Sequence, residues 1–203
     1  MGCKRILVSD DYYPALTRDN VDVVTDPIVE VRARSIVTRD GTEREVDTIV
    51  FGTGFAVTRP PIAERLRGKD GRTLAEHWAT SMQAYKGTTV AGFPNFVFMT
   101  GPNTGLGHNS MVYMIESQLA YVLDCLRVMG ERDARTFEVR EDAVAQYNDA
   151  LEREMDGTVW TAGRCQSWYL DDTGRNTTLW PSYSYAFRRH TERFDPAAYE
   201  LLA

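Results

Sequence analysis

The sequence predicts an α/β fold with a β-hairpin, parallel strands, amphipathic helices and an aromatic, loop-rich tail. Three observations support this prediction. β-branched runs flank Asp40-Gly41, a dipeptide that favours tight hairpin turns. Two uniformly apolar runs, at 48–51 and 96–99, each lead into a glycine-rich segment, as expected of parallel strands buried on both faces. Apolar residues then recur at helical spacing over 110–129.

Composition limits the class of protein. The chain has 203 residues, of which 43% are hydrophobic, which suffices for a substantial core. A formal net charge of −6 argues against binding to nucleic acids or anionic membranes. No apolar run approaches the roughly 18 residues that span a bilayer, and the N-terminus does not resemble a signal peptide. Three widely spaced cysteines predict neither disulfides nor a metal site, so we expect a cytoplasmic protein.

The N-terminal half is predicted to be rich in strands. Alternating or β-branched residues place strands at 28–32, 35–38 and 43–51, and the last of these contains the first buried run. Short helical pieces are expected at 62–66 and 74–78 before the second buried strand.

The C-terminal half is predicted to be mainly helical. Asn109 or Ser110 can cap the long helix at 110–129, and Gly130 stands where a C′ glycine is expected. The predicted apolar stripe of this helix is Met111, Ile115, Leu119, Val122, Leu126 and Met129. The remaining predicted elements are a strand at 137–139, a helix at 142–155, ordered aromatic loops at 159–187 and a helix at 196–202.

The strand, glycine loop and helix at 96–129 form the best candidate for a ligand site. Glycines let a backbone approach a ligand, and a helix N-terminus presents unpaired N–H groups. The spacing is G-x-x-x-G-x-G, which is neither the dinucleotide motif nor a P-loop, so ligand contact and a plain tight helix entry both remain open. The glycines at 52 and 54, taken by themselves, favour a simple chain exit over a ligand contact. His108 and Ser110 lack a nucleophile elbow, which argues against a hydrolase.

Four segments occur in an order that is found in one known family. They are Gly2-Cys3-Lys4-Arg5 with Asp11-Tyr12-Tyr13, then residues 46–55, residues 101–110, and residues 165–169 with 174–181. Together they resemble the C-terminal segment of flavin-containing monooxygenases, particularly those of the Baeyer–Villiger type. Gly52 stands where that family has an alanine.

The resemblance implies the C-terminal part of a two-dinucleotide-binding, Rossmann-like flavoprotein that uses FAD and NADPH (NADP when oxidised). It implies that a C4a-peroxyflavin inserts one oxygen atom of O2 into a ketone. It also implies three regions: 1–27 as the tail of the NADP-binding domain or a linker, 28–157 as part of the FAD-binding domain, and 158–203 as an aromatic region near the cofactor and substrate cleft.

The resemblance also assigns candidate site residues. The implied cofactor-binding residues are Thr53, Gly54, Phe55, Asn103, Thr104, Gly105, Leu106, Gly107, His108 and Asn109. The residues implied on the substrate or NADP side are Trp168, Tyr169 and Asn176. No catalytic residue is assigned, because the family's G-x-G-x-x-G motifs, its signature and its arginine near the flavin are absent from this sequence.

Because those parts are absent, we expect this chain alone to bind FAD weakly or not at all and to be inactive. One alternative is an interaction module or split-gene product that binds an N-terminal flavoprotein half. Self-association through an exposed sheet edge is also open. A further alternative is a flavin monooxygenase that oxygenates nitrogen or sulfur.

Overall fold

The structure, a computed structural model, describes residues 7–107, 109–163 and 167–203. The chain divides into two compact units, one ending at Phe55 and the other running from Ala56 to Ala203. Helices and sheets are both present, consistent with an α/β fold, but the three-stranded and two-stranded sheets are antiparallel. The predicted parallel strands are therefore absent from the described residues. No helix in those residues is long and apolar enough to cross a membrane.

The first unit contains one short helix and the three-stranded sheet. Its elements are α1 (Tyr12–Leu16), β1 (Ile28–Val31), β2 (Ser35–Thr38) and β3 (Glu43–Glu45). β2 is the central strand, and Gly41 in the β2–β3 turn has φ +84°, a left-handed conformation that glycine adopts without a steric penalty. The predicted hairpin is confirmed.

The predicted buried strand at 48–51 is wrong for this structure. β3 ends at Glu45, and the side chains of Val50 and Phe51 are 88% and 80% exposed. A strand of this kind needs a hydrogen-bonded neighbour and apolar cover on both faces. Neither is provided for residues 48–51 within the described part of this unit.

The second unit is mainly helical. Its elements are a 3-10 helix (Pro61–Glu64), α2 (Leu74–His77), α3 (Met111–Glu131), β4 (Thr136–Val139), α4 (Glu141–Met155), α5 (Val159–Ala162), α6 (Ser184–Thr191), a second 3-10 helix (Pro196–Ala198) and β5 (Tyr199–Leu202). The short helical pieces, the strand near 137 and the helix near 142–155 are confirmed.

Three predictions for this unit outside α3 are wrong. Residues 96–99 form no strand in the described structure, although Phe96, Val97 and Phe98 pack partly buried against the core. The predicted helix at 196–202 is a single 3-10 turn followed by β5, which pairs residue by residue with β4. Pairing with β4 and burial of Tyr199 override the local helical pattern. α6 lies in the tail that was predicted to contain only loops.

α3 differs from its prediction at both ends. Ser110 is the N-cap residue, but its side chain makes no capping hydrogen bond. The Asn109 carboxamide oxygen accepts the N–H of Ser110, at 2.7 Å. Gly130 lies inside the helix rather than at C′, because the helix continues to Glu131.

The apolar stripe predicted for α3 faces outward along much of its length. Ile115, Leu119 and Leu126 are 36%, 46% and 54% exposed. The inward face instead carries Met114, Ser117, Gln118, Tyr121, Cys125, Val128 and Met129. The helix is apolar on two faces, so its periodicity could not indicate which face is buried in this chain.

A buried polar network attaches the C-terminal segment to α3. The Asp195 carboxylate accepts hydrogen bonds from the hydroxyls of Tyr85 and Tyr121 and from Nζ of Lys86, the last at 3.0 Å. Burial lowers the pKa of Lys86, and the charge of Asp195 opposes that shift. Removing one partner would leave an uncompensated buried group, so the network restrains the turn that contains Lys86.

Candidate functional site

Two segments distant in sequence form one wall. The glycine loop (residues 101–107) lies beside the threonine segment (residues 176–180), and Gly105 and Leu179 form a parallel bridge. The Asn103 N–H donates to the Thr177 carbonyl at 2.9 Å, and the Gly105 N–H donates to the Thr178 carbonyl at 2.8 Å. A Cβ at Gly105 would lie 2.8 Å from the Thr178 oxygen, so this close approach needs glycine.

The Asn103 side chain holds this wall together. Its amide nitrogen donates to the carbonyls of Asn176, at 2.7 Å, and Leu179, at 3.0 Å. Asn103 is 4% exposed and has φ +57°, a left-handed conformation that asparagine tolerates. The Thr104 hydroxyl donates to the Gly101 carbonyl at 2.7 Å. Both polar side chains therefore fix the loop backbone.

The glycine loop also packs against a tight turn at residues 85–89. Gly87 has φ +60°, and a Cβ there would lie 2.1 Å from Cγ2 of Thr104 and 2.7 Å from the Pro102 carbonyl oxygen. A Cβ on Gly101 would lie 2.4 Å from the Gly87 oxygen. Each backbone thus touches the other at a position where a side chain does not fit.

A cavity of about 180 Å³ lies against the wall. Its other walls are largely apolar, and Trp78 and Phe98 stack there with ring centroids 5.4 Å apart. The lining residues are Val57, Pro60, Trp78, Met82, Phe98, Thr100, Gly101, Pro102, Thr104, Gly105, Met111, Thr177 and Thr178. The Oγ1 atoms of Thr177 and Thr178 are buried without a hydrogen-bond partner in the described structure. Such groups normally have a partner, so this wall offers unused hydrogen-bonding capacity.

A larger, polar cavity of about 760 Å³ includes Asn103 and Asn176 in its lining. Two of its lining residues form an ion pair, in which Nε of Arg175 lies 2.8 Å from a Glu152 carboxylate oxygen. His77 also lines this space, and burial lowers its pKa. The smaller cavity is the better candidate for an aromatic ligand, because it combines aromatic walls with the unpartnered hydroxyls.

The structure groups some of the predicted cofactor-binding residues and separates others. Asn103, Thr104 and Gly105 form the wall just described. Thr53, Gly54 and Phe55 belong to the first unit, where Phe55 is 91% exposed and Gly54 has φ +78° in open space. His108 lies outside the described residues.

The remaining residues predicted to bind the cofactor are Leu106, Gly107 and Asn109, and their surroundings differ. Leu106 is 4% exposed and packs in a core with Met114, Leu151, Trp180 and Phe187. Gly107 is nearly open, since a Cβ there would meet only the Tyr169 hydroxyl at 4.0 Å. The Asn109 amide donates to the Ser184 hydroxyl at 2.5 Å and so joins the start of α3 to α6.

The residues predicted for the substrate or NADP side differ in exposure. Trp168 is 52% exposed, whereas Tyr169 and Asn176 are almost fully buried. The Trp168 and Tyr169 rings lie 4.4 Å apart. The Asn176 side-chain oxygen accepts the N–H groups of Thr178 and Leu179, and its amide nitrogen has no partner among the described residues.

Sequence reasoning missed several contributors to the site. Gln118 on α3 and the 85–89 turn both contact the start of the glycine loop. Trp78 and Met82 line the small cavity from the segment after α2. No local signal in the sequence identified these residues, because the periodicity of α3 does not show which of its faces is inward and the other contacts depend on tertiary packing.

Comparison with known proteins identifies the relatives of the chain. No model of a protein family matches the sequence. A Baeyer–Villiger monooxygenase of Streptomyces coelicolor is 55% identical over all 203 residues, and one of Pseudomonas aeruginosa is 53% identical over 202 residues. The chain spans only 39% and 38% of the lengths of these relatives.

Solved structures agree with this relationship. The structure of cyclohexanone monooxygenase from Rhodococcus sp. Phi1 bound to NADP+ matches with a TM-score of 0.84 and 27% identity. The match covers 99% of this chain and 39% of the chain of that enzyme. The structure of OTEMO in complex with FAD and NADP matches with a TM-score of 0.84 and 28% identity. That match covers 98% of this chain and 38% of the OTEMO chain.

These matches place the chain with flavin-dependent monooxygenases, and solved relatives of that class are complexes with FAD and NADP. Within that class, its relatives at 53–55% identity are named Baeyer–Villiger monooxygenases, and the chain fits a C-terminal segment of such an enzyme.

Proposed function

We propose that the chain supplies the flavin-facing wall of an enzyme that inserts one oxygen atom of O2 beside a ketone carbonyl. The observation that carries this proposal is the small cavity, which is lined by apolar and aromatic side chains and by Thr177 and Thr178, whose buried hydroxyls have no partner in the described structure. FAD, when bound and reduced by NADPH, supplies the oxygen-activating chemistry.

The cavity residues fit the edge of a flavin ring rather than the whole cofactor. A volume of about 180 Å³ is small for a dinucleotide, but its aromatic and threonine walls suit a planar ring with polar atoms at one edge. Thr177 and Thr178 would hydrogen-bond that edge. Trp78 and Phe98 would exclude water, which strengthens electrostatic interactions at the ring.

The N-terminus of α3 follows the glycine loop directly, and Met111 of its first turn lines the cavity. The first turn contains no acidic residue, so its positive dipole is not neutralised locally. It would stabilise negative charge on a reduced ring by about 0.3–1 kcal/mol. No residue of this chain is assigned as catalytic.

For the nicotinamide or ketone side we propose Trp168 as the contact residue, because its ring is half exposed. Tyr169 and Asn176 are buried and would hold Trp168 and the threonine segment in place. We further propose that residues 1–27, 28–157 and 158–203 correspond to the NADP-domain tail, the FAD-domain part and the cleft region of the parent enzyme.

The proposal predicts that FAD retention requires the remainder of the enzyme. The chain alone should lose FAD on gel filtration, because the ADP-binding motifs are absent from its sequence. Co-expression with the part of the Streptomyces coelicolor relative outside the matched region should give a yellow complex that retains FAD. A complex without FAD would contradict the proposal, and stoichiometric FAD on the chain alone would contradict the assigned division of labour.

A second candidate function, an interaction module for that remaining part, is favoured by the outer face of α3. We define the α3 stripe as Val112, Ile115, Leu119, Leu123 and Leu126, which are 36–61% exposed. Full burial of such a side chain is worth about 1.5–3 kcal/mol relative to full exposure, so covering the exposed half of each would contribute roughly half of that. The matched relatives extend well beyond this chain, so the part they have in addition is the proposed cover.

We expect Leu119→Asp with Leu123→Asp to abolish co-purification in the same co-expression experiment, because charge would replace apolar contact. Glu131→Lys, an exposed change on α3 outside the stripe, is the matched control and should preserve the complex. Equal complex formation by both variants would contradict this role. A concentration-dependent dimer of the chain alone would instead indicate self-association, for which the exposed edge strand β1 is available.

The remaining alternative is a monooxygenase that oxygenates nitrogen or sulfur. The substrate that the complex oxygenates distinguishes it from the proposed enzyme. A complex that converts a cyclic ketone into a lactone supports the proposal. Turnover restricted to an amine or a sulfide would support an N- or S-oxygenating enzyme instead.

A further inference from the structure

Gln118 is a fully buried polar residue on the inward face of α3, and it contacts two separate segments. Its side-chain oxygen accepts the N–H of Thr100 at 2.8 Å. Its amide nitrogen donates to the Gly87 carbonyl at 2.8 Å and to the Thr88 hydroxyl at 3.0 Å. The same nitrogen lies 3.4 Å from the Phe98 carbonyl. One side chain therefore bridges the 85–89 turn and the entry to the glycine loop.

Thr100, whose N–H donates to the Gln118 side chain, has a strained backbone conformation. Thr100 has φ +61°, and a β-branched residue in the left-handed region is a genuine outlier. Such strain persists only where the surrounding structure enforces it, and it is concentrated at functional sites. Thr100 also lines the small cavity and directly precedes Gly101, whose backbone touches Gly87.

We infer that Gln118 is a positioning residue that sets the place of the glycine loop over the small cavity. It does so by holding Thr100 in its left-handed conformation and by fixing the turn against which the loop packs. The connection to flavin binding rests on the proposed function, whereas the effect on the loop does not.

The test measures amide hydrogen exchange by NMR in the 203-residue chain and in its Gln118→Met variant, which keeps side-chain volume but removes the hydrogen bonds. The informative amides are those of Asn103 and Gly105, which donate to the threonine segment and do not touch Gln118. We expect both to exchange about tenfold faster, because loosening the loop entry lets the wall open.

Ser117→Ala is the matched control. Ser117 precedes Gln118 on the same inward face and is 2% exposed, but its hydroxyl donates to the Tyr113 carbonyl and accepts from Nε of Arg188 rather than bonding to the loop or the 85–89 turn. We expect this variant to leave the Asn103 and Gly105 rates unchanged. Equal acceleration in both variants, or acceleration at Thr100 alone in Gln118→Met, would overturn the inference.

Gln118→Leu also removes the hydrogen bonds with an apolar side chain of similar volume, so it should give a comparable acceleration and serves if Gln118→Met does not fold. In the co-expressed complex, Gln118→Met should lower the ratio of FAD to protein several-fold, whereas Ser117→Ala should not. Faster loop exchange together with a wild-type complex that holds no FAD would leave the positioning role intact and refute the proposed function. Unchanged loop exchange with normal FAD content would refute the positioning role alone.

Discussion

Replacing Trp180 by alanine should cost about 3–5 kcal/mol in the free energy of unfolding, a large part of the stability of a typical domain. Trp180 is 2% exposed and packs edge-to-face on Phe187 with ring centroids 5.3 Å apart. Its indole N–H donates to the Tyr183 carbonyl at 3.0 Å, and its backbone N–H donates to Gly105. The substitution would therefore leave a cavity and loosen one contact of the glycine loop. Urea denaturation of the chain measures the loss.

Trp168→Ala is the matched control, because it removes the same side chain from a half-exposed position. We expect it to change the free energy of unfolding by no more than about 0.5 kcal/mol. Similar losses in the two variants would contradict the assignment of Trp180 to the core and of Trp168 to an accessible surface.

Gly87→Ala should have the next largest effect. A left-handed conformation costs a non-glycine residue about 1–2 kcal/mol, and overpacking adds about 1–3 kcal/mol. Both terms apply, because Gly87 has φ +60° and its new Cβ would lie 2.1 Å from Thr104. We expect a loss of roughly 2–5 kcal/mol in the free energy of unfolding, together with faster amide exchange in the glycine loop.

Gly92→Ala separates the two contributions. Gly92 has φ +83° and no heavy atom within 4 Å of its Cβ position, so only the backbone cost applies there. If Gly92→Ala destabilised the chain as much as Gly87→Ala, the contact between the turn and the glycine loop would not be the cause.

The fold could be predicted from the sequence where local pattern decides structure. The helices near 110–131 and 141–155 follow from their apolar spacing, and the hairpin follows from Asp40-Gly41. The pattern at 48–51 predicts burial, but burial also requires neighbours that the described part of the first unit does not provide for those residues. The strand at Tyr199–Leu202 depends on pairing with β4, which lies about sixty residues earlier and leaves no local signal.

The site was predictable to a similar extent. The glycine loop stands out in the sequence because glycines precede a strong helix. The threonine segment entered the sequence analysis only through the family resemblance, which placed Asn176 on the substrate or NADP side. Its pairing with the glycine loop was not predicted, since the two lie more than seventy residues apart. Gln118 and the 85–89 turn reach the loop through tertiary packing, so neither could be placed there before the fold was known.

The most direct test of the central claim compares two buried threonines in the co-expressed complex. Thr177 lines the cavity with an unpartnered hydroxyl, whereas the equally buried Thr191 donates to the Phe187 carbonyl at 3.0 Å. Replacing an unpartnered hydroxyl by a methyl group does not lose an internal hydrogen bond, so Thr177→Val should not destabilise the chain alone.

The quantity to measure is the ratio of FAD to protein after gel filtration of the complex. We predict that Thr177→Val lowers it several-fold while Thr191→Val leaves it unchanged. An unchanged ratio in Thr177→Val, with the complex intact, would contradict the claim that this wall holds the flavin.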